Sequence, residues 1–235
     1  MHALRARLDS VRDRIARAAS RAGRDPASVR LVAVSKTFSA ERVRAAAAAG
    51  QVDFGENKVQ EALRKMDETA DLPLRWHLVG HLQSNKARKT AARFDVIHSL
   101  DGVALMRQLD EAAVAAGRSL DLLVQVDLAG EPTKHGIRPE AVLPLLEAAR
   151  TCRAARVKGL MLLPPAVSEP EAARASFVEL RRLRDRLAAA GVDPAMLGEL
   201  SMGMSGDFEV AIEEGATIVR VGSAIFGPRE QSASA

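Results

Sequence analysis

Two rhythms of apolar residues alternate along this chain. Short β-branched and Leu-rich runs are separated by longer stretches in which apolar positions return with helical spacing. The first stretch, 1–21, alternates Arg with Ala and Leu and predicts an amphipathic opening helix. Strands are then predicted at 30–35, 52–55, 75–79, 95–99, 120–127, 157–162, 197–202 and 217–221. Helical patterns follow them at 40–49, 58–68, 85–92, 103–116, 139–151 and 171–190. Gly50, Gly117, Gly191 and Gly215 stand where helices should stop. Eight strand-then-helix units without a long linker favour a closed (β/α)8 TIM barrel over a doubly wound open sheet, which has fewer strands. The expected organisation is α/β, one domain over 1–235, with an extra N-terminal helix. The last strand reaches Gly222 of 235 residues, which leaves too little chain for a second domain.

Composition narrows the class without changing that picture. Hydrophobic residues at 47% and charged residues at 27% fit a soluble globular protein with a sizeable core. No apolar run approaches the roughly 18 residues a membrane span needs, and the N-terminus lacks a signal-peptide core. The expectation is therefore a cytoplasmic protein without a membrane partner. Cys152 is the only cysteine, so no internal disulfide forms, and packing is its expected role. The net charge of +4 comes from 34 basic and 30 acidic residues interspersed along helical faces. With aromatics at only 3% and no tyrosine, platforms for stacking bases are scarce, and no nucleic-acid partner is expected. His, Cys and carboxylates nowhere adopt metal-ligand spacing, so no metal is expected.

In a barrel of this kind, chemistry gathers where strands end and the following loops begin. Lys36 directly follows the run Leu31-Val32-Ala33-Val34-Ser35, at the end of the first strand. Desolvation there would lower its pKa and leave neutral amine to attack an aldehyde; the other reading is a strand-end lysine reaching into solvent. The last strand opens through Gly222 and Ser223 into a helical turn at Ala224, where free N–H groups attract phosphate. The seventh leads into Ser201-Met202-Gly203-Met204-Ser205-Gly206-Asp207, a second small-residue loop. Together these loops make the usual barrel phosphate site, although such turns also serve as tight connections. Arg220 lies in an apolar strand and needs a partner, either a ligand atom in the barrel mouth or a neighbouring carboxylate.

The residues also form ordered motifs: Leu31-Val32-Ala33-Val34-Ser35-Lys36-Thr37, Phe54-Gly55-Glu56-Asn57-Lys58-Val59-Gln60-Glu61, Gly80-His81-Leu82-Gln83-Ser84-Asn85-Lys86, Ser201-Met202-Gly203-Met204-Ser205 and Val219-Arg220-Val221-Gly222-Ser223. From Leu31 to Gly227 the chain resembles the pyridoxal-phosphate homeostasis protein family, single-domain relatives of the alanine racemase barrel. The resemblance implies a fold-type III barrel that binds pyridoxal 5′-phosphate (PLP). It implies Lys36 as the Schiff-base lysine, Ser205, Gly222 and Ser223 at the phosphate, Arg220 facing the pyridine nitrogen, and Asn57 as a further pocket residue. The loop Val126–Gly136 departs from the family's pattern at Asp127, Pro132 and His135, so no role is assigned to Lys134.

The expected activity is that of a carrier or regulator of PLP with no catalytic residue, with PLP-dependent apoenzymes as partners, and the lack of a second domain favours a monomer. The alternative is a PLP-dependent amino-acid racemase or decarboxylase. Racemases of this kind take one acid/base group from a tyrosine, and this chain has none. His77, His81 and Cys152 are the candidate substitutes, and none stands in a recognisable acid/base pair. His77 reads as a packed or hydrogen-bonded barrel residue; His81 and Asn85 read as pocket rim, or Asn85 as the start of a helix capped by Ser84. Met202 and Met204 read as gap fillers. A third reading, an aldolase-like Schiff-base enzyme on a phosphorylated sugar, needs the same lysine and phosphate loops but no cofactor.

Overall fold

The apolar runs become eight strands, all parallel to their neighbours. In the computed structural model, which describes residues 2–130, 135–165 and 169–228, they are β1 (Arg30–Val34), β2 (Asp53–Glu56), β3 (Arg75–Leu78), β4 (Val96–Leu100), β5 (Leu120–Val126), β6 (Ala155–Leu162), β7 (Glu199–Ser201) and β8 (Ile218–Val221). They pair in chain order, and β8 returns to β1 through Leu31 opposite Val219, so the barrel closes as expected. Around it run α1 (His2–Arg21), α2 (Ala40–Ala48), α3 (Val59–Glu68), α4 (Ala87–Ala91), α5 (Val103–Ala115), α6 (Pro139–Ala149), α7 (Arg174–Ala189), α8 (Phe208–Glu213) and the short α9 (Ser223–Phe226).

Two predicted helices are shorter than their patterns. The stretch 85–92 opens with a 3-10 turn, Ser84–Lys86, before α4, and Ser84 does not cap it: the residue before the turn is Gln83, with no side-chain cap bond. The stretch 171–190 likewise opens with the 3-10 turn Pro170–Ala173, which has proline at its first position and leads directly into α7. The four glycine stops behave as expected: Gly50, Gly117, Gly191 and Gly215 all take positive φ, a region that costs any residue with a Cβ.

Alternation along the strands separates two apolar layers. Inside the barrel, Val32, Val96, Leu123, Met161 and Ile218 pack together. The intervening positions, such as Ala33, Phe54, Leu122, Leu160 and Val219, face outward and pack under the helices with Val43, Ala62, Leu109 and Leu180. On α1, Leu4, Leu8, Val11 and Ile15 form one buried stripe, which packs against α2, α8 and α9. Polar anchors fix its position: Arg14 makes two hydrogen bonds to Glu209 at 3.1 and 2.7 Å and covers the Phe208 ring, and Arg7 Nε donates to the Ile225 carbonyl. No helix among the described residues is long and apolar enough to cross a membrane.

The inward phase of each strand also decides what reaches either end of the barrel. In β1 it runs Arg30, Val32, Val34 and on to Lys36; in β2, Asp53, Gly55 and on to Asn57; in β8, Ile218, Arg220 and on to Gly222. At the foot this phase places charge pairs, Arg30 with Glu199 at 3.2 Å and Arg75 with Asp121 at 2.9 Å. At the mouth it places the candidate site.

Candidate functional site

A cavity of about 510 Å³ opens at the C-terminal ends of the strands. Lys36, Asn57, Ser205, Arg220, Gly222 and Ser223 all line it, although they come from four separate segments of chain. A second cavity of about 450 Å³ lies beside it above β5 and β6, and His81 and Leu163 line both.

Lys36 sits in a tight turn directly after β1. The Phe38 N–H donates to the Ser35 carbonyl at 3.0 Å, and Thr37 takes φ +69°, the left-handed region that a β-branched residue rarely enters. Such strain costs on the order of 1–3 kcal/mol and needs to be held. Here the holding group is a buried network. The Thr37 N–H donates to Glu61 Oε1 at 2.6 Å, and Lys65 Nζ donates to Glu61 at 2.8 Å, to Glu56 at 2.7 Å and to the Ser35 carbonyl at 2.7 Å. The Ser35 hydroxyl closes the loop by donating to Glu56 Oε1 at 2.6 Å. The residues on either side of Lys36 are thus tied to one ammonium group, which fixes the direction in which Lys36 leaves the strand.

The opposite wall is built from backbone donors. The N–H groups of Gly222 and Ala224 converge on Ser205 Oγ at 3.2 and 3.4 Å, both long for such bonds. An anion oxygen placed beside Ser205 would meet the same donors. A Cβ on Gly222 would come within 3.1 Å of the Val34 carbonyl, so a side chain there would press on β1. Ser223 is exposed at the first position of α9, and Asn57 is half-buried just past β2.

Arg220 is 3% exposed and points into the same space. Of the two partners open from sequence, a ligand atom or a neighbouring carboxylate, no carboxylate among the described residues hydrogen-bonds to it. It donates to the Ser201 hydroxyl at 2.6 Å and to the Leu162 carbonyl at 2.9 Å. Burial lowers its pKa to about 10, with Asp207 acting against the shift, so the guanidinium stays charged at neutral pH.

One group at the site, Phe38, was not singled out for it from sequence. Phe38 lines the cavity and stacks on Phe226 with centroids 5.1 Å apart. Met204, 38% exposed, lies at the mouth, while Met202 is buried in the core. His77 is wholly buried and hydrogen-bonded, as a barrel residue should be. His81, read from sequence as pocket rim, reaches the mouth at the inward phase of β3, two positions past Val79. Asn85 lies on the surface away from this cavity. Cys152 lies beyond α6 at the opposite end of the barrel, and burial raises its thiol pKa.

Spacing along the chain gave no hint that His81, Asp101 and His135 would meet. The two imidazoles stack at 3.6 Å and 7°, and His81 Nδ1 lies 3.4 Å from Asp101. Parallel rings direct their in-plane lone pairs along parallel planes and not at one point, which is the wrong arrangement for shared metal ligation. Pro132 and Lys134 lie outside the described residues.

Residues 6–230 match the family model of the alanine racemase N-terminal domain. A pyridoxal phosphate homeostasis protein of Pseudomonas aeruginosa is 46% identical over 97% of this chain and 96% of its own length. One from Aquifex aeolicus is 42% identical over 95% of this chain and 97% of its own. Among solved structures, PipY of Synechococcus elongatus PCC7942 with PLP bound is 41% identical, superposes with a TM-score of 0.84, and covers 95% of this chain and 100% of its own.

Proposed function

The chain belongs to the pyridoxal phosphate homeostasis protein family, within the alanine racemase N-terminal domain group, and on that basis we propose that it binds PLP as a Schiff base on Lys36 and carries or regulates the cofactor without turning over a substrate. The observation that carries this reading is the shared cavity. One amine, one buried guanidinium and a hydroxyl flanked by backbone N–H groups all line about 510 Å³, within the ordinary range for a small-cofactor site.

The donor set matches the chemistry of the group. When bound, PLP supplies an aldehyde that condenses with an amine and releases water, leaving its phosphate and ring nitrogen for non-covalent contacts. Lys36 is the amine. Ser205, Gly222 and Ser223 would hold the phosphate, Arg220 would donate towards the ring nitrogen, and Asn57 would be a further pocket residue. A charged arginine at the ring nitrogen disfavours protonation there and so weakens the ring as an electron sink. Alanine racemases share such an arginine, so the carrier reading rests more on the tyrosine acid/base group that those enzymes use and this chain lacks. In this reading the chain works as a cytoplasmic monomer, and PLP-dependent apoenzymes receive the cofactor.

The test is optical. The purified protein given PLP is expected to show a visible absorption band that is absent in Lys36→Ala; a protein that stays colourless and cannot be loaded overturns the reading. A second reading, an amino-acid racemase or decarboxylase, is favoured by one observation: His81 lines the same cavity as Lys36 and could hold or release a proton there. Incubation of the loaded protein with L- and D-amino acids separates the two. Racemised or decarboxylated product at catalytic rates would replace the carrier with the enzyme.

A further inference from the structure

A single chain of hydrogen bonds runs through the barrel interior from mouth to foot. Arg220 Nη1 donates to Ser201 Oγ at 2.6 Å; Ser201 Oγ lies 2.8 Å from His98 Nδ1; His98 Nε2 lies 2.9 Å from His77 Nδ1; and His77 Nε2 lies 2.8 Å from Asp53 Oδ1. Ser201, His98 and His77 are fully buried and Arg220 nearly so, while the Asp53 side chain retains 19% exposure at the start of β2. Five residues from five strands meet because each occupies the inward phase of its strand.

The end groups dictate the direction of every link. A guanidinium only donates, so Ser201 Oγ accepts from Arg220 and keeps its own proton to give. An ionised carboxylate only accepts, so His77 Nε2 carries a proton and donates it to Asp53. Then His77 Nδ1 must accept, His98 Nε2 must carry a proton, and His98 Nδ1 is left to accept from Ser201. Each link is made once, with a cation at one end, an anion at the other and two neutral imidazoles between. A further proton on either ring would reverse links and leave the Ser201 hydroxyl proton without an acceptor. Burial lowers the pKa of both histidines, Arg30 and Arg75 at the foot act in the same direction, and Arg220 at the mouth does so for His98; Asp53 favours a positive His77 ring, but the net shift there is still downward. Burial would raise Asp53, but His77, Arg30 and Arg75 outweigh it and hold the carboxylate ionised. Asp207 is the acid nearest in effect to Arg220.

We propose that Ser201, His98, His77 and Asp53 are positioning residues that hold Arg220 as a fixed donor to the ligand in the mouth, with both histidines locked as neutral Nε2–H tautomers. This rests on the reading of the mouth as a PLP site. The consequence is that a charge at the foot of the barrel influences a ligand at the opposite end. Asp53→Asn isolates that influence, because an amide can either accept from His77 or donate to it, and so removes the direction while keeping the shape.

The experiment has two arms. In the protein without PLP, imidazole 15N NMR from about pH 5 to about pH 8 is expected to show His77 and His98 as Nε2–H throughout, with tautomers mixing in Asp53→Asn. A protonated or Nδ1–H ring in the parent chain overturns the proposal whatever the mouth binds. In the PLP-loaded protein, Asp53→Asn is expected to move the visible band and weaken binding about tenfold, the equivalent of about 1.4 kcal/mol, with circular dichroism unchanged. An unmoved band and unchanged affinity overturn the coupling. A parent chain that never takes up PLP refutes the cofactor reading and leaves the tautomer result standing on its own. If Asp53→Asn fails to fold, Ser201→Ala, which cuts the link next to Arg220, is read in the same two ways.

Discussion

Lys65 Nζ lies 2.7 Å from Glu56 Oε1, and neither side chain reaches solvent. The pair sits behind the turn that carries Lys36, with Ser35 on one side and, through Glu61, Thr37 on the other. Glu56 keeps one buried oxygen without a partner, and burial pushes its carboxyl pKa up despite Lys65 and Ser35.

Replacing Lys65 with Met should therefore cost more than a surface lysine would. It strands a buried carboxylate and frees both anchors of the Lys36 turn, a loss on the order of 3–5 kcal/mol. Urea unfolding is the measurement, with PLP titration alongside. Glu56→Gln added to Lys65→Met should recover part of the loss, since the stranded charge is gone. A Lys65→Met protein as stable as its parent would mean the network holds nothing.

A second carboxylate stabilises the fold far from the mouth. Asp110 Oδ1, on α5, accepts N–H bonds from Arg153, Ala154 and Ala155 at 2.9, 2.7 and 2.8 Å and so ties the start of β6 to that helix. Burial acts to raise its pKa, but the three N–H groups and Arg153 outweigh it, and the net shift is downward. A lowered folded pKa gives stability that is complete above the unfolded value of about 3.9 and is lost as pH falls through the folded value. Asp110→Asn is expected to lose about 1–3 kcal/mol at neutral pH and to show a flatter stability curve on the acid side. Equal acid slopes for parent and variant would contradict this.

The barrel was legible because its strands are short apolar runs and its helices stop at glycine. That Lys36, Ser205 and Gly222 would line one cavity was legible because they stand where strands end; Arg220, inside β8, joins them through the inward phase of that strand. Lys65 was not singled out, yet a signal existed: Val59, Ala62 and Met66 mark the buried stripe of α3, and Lys65 falls on that stripe with them. Its partner Glu56 is the last residue of β2, on the outward phase of that strand, where it meets α3. His98 similarly interrupts the apolar strand Val96–Leu100, where a buried imidazole requires partners. Those partners come from β3 and β7, and no local pattern links them. The 3-10 turns before α4 and α7 escaped because their residue types also suit an α-helix.

Two glycines offer a contrast between shape at the mouth and stability alone. A Cβ on Gly80 would lie 2.3 Å from the Asn57 carbonyl oxygen and 2.8 Å from its Cα, so backbone must move, and it moves at a residue lining the cavity. A Cβ on Gly117 meets nothing within 4 Å, but its φ of +62° makes alanine unfavourable there by roughly 1 kcal/mol. Gly80→Ala is thus expected to weaken PLP binding by more than its stability loss explains, since Asn57 is displaced even when the protein is fully folded. Gly117→Ala is expected to lower the unfolding midpoint and leave PLP affinity at the parent value, because that turn lies at the end of α5, remote from the mouth. Titration with PLP well below the unfolding midpoint separates the effects. If both variants bind alike, the close packing of Gly80 on Asn57 has no part in shaping the site; if only Gly80→Ala binds weakly, the backbone of Asn57 is held in place by the absence of a single methyl group.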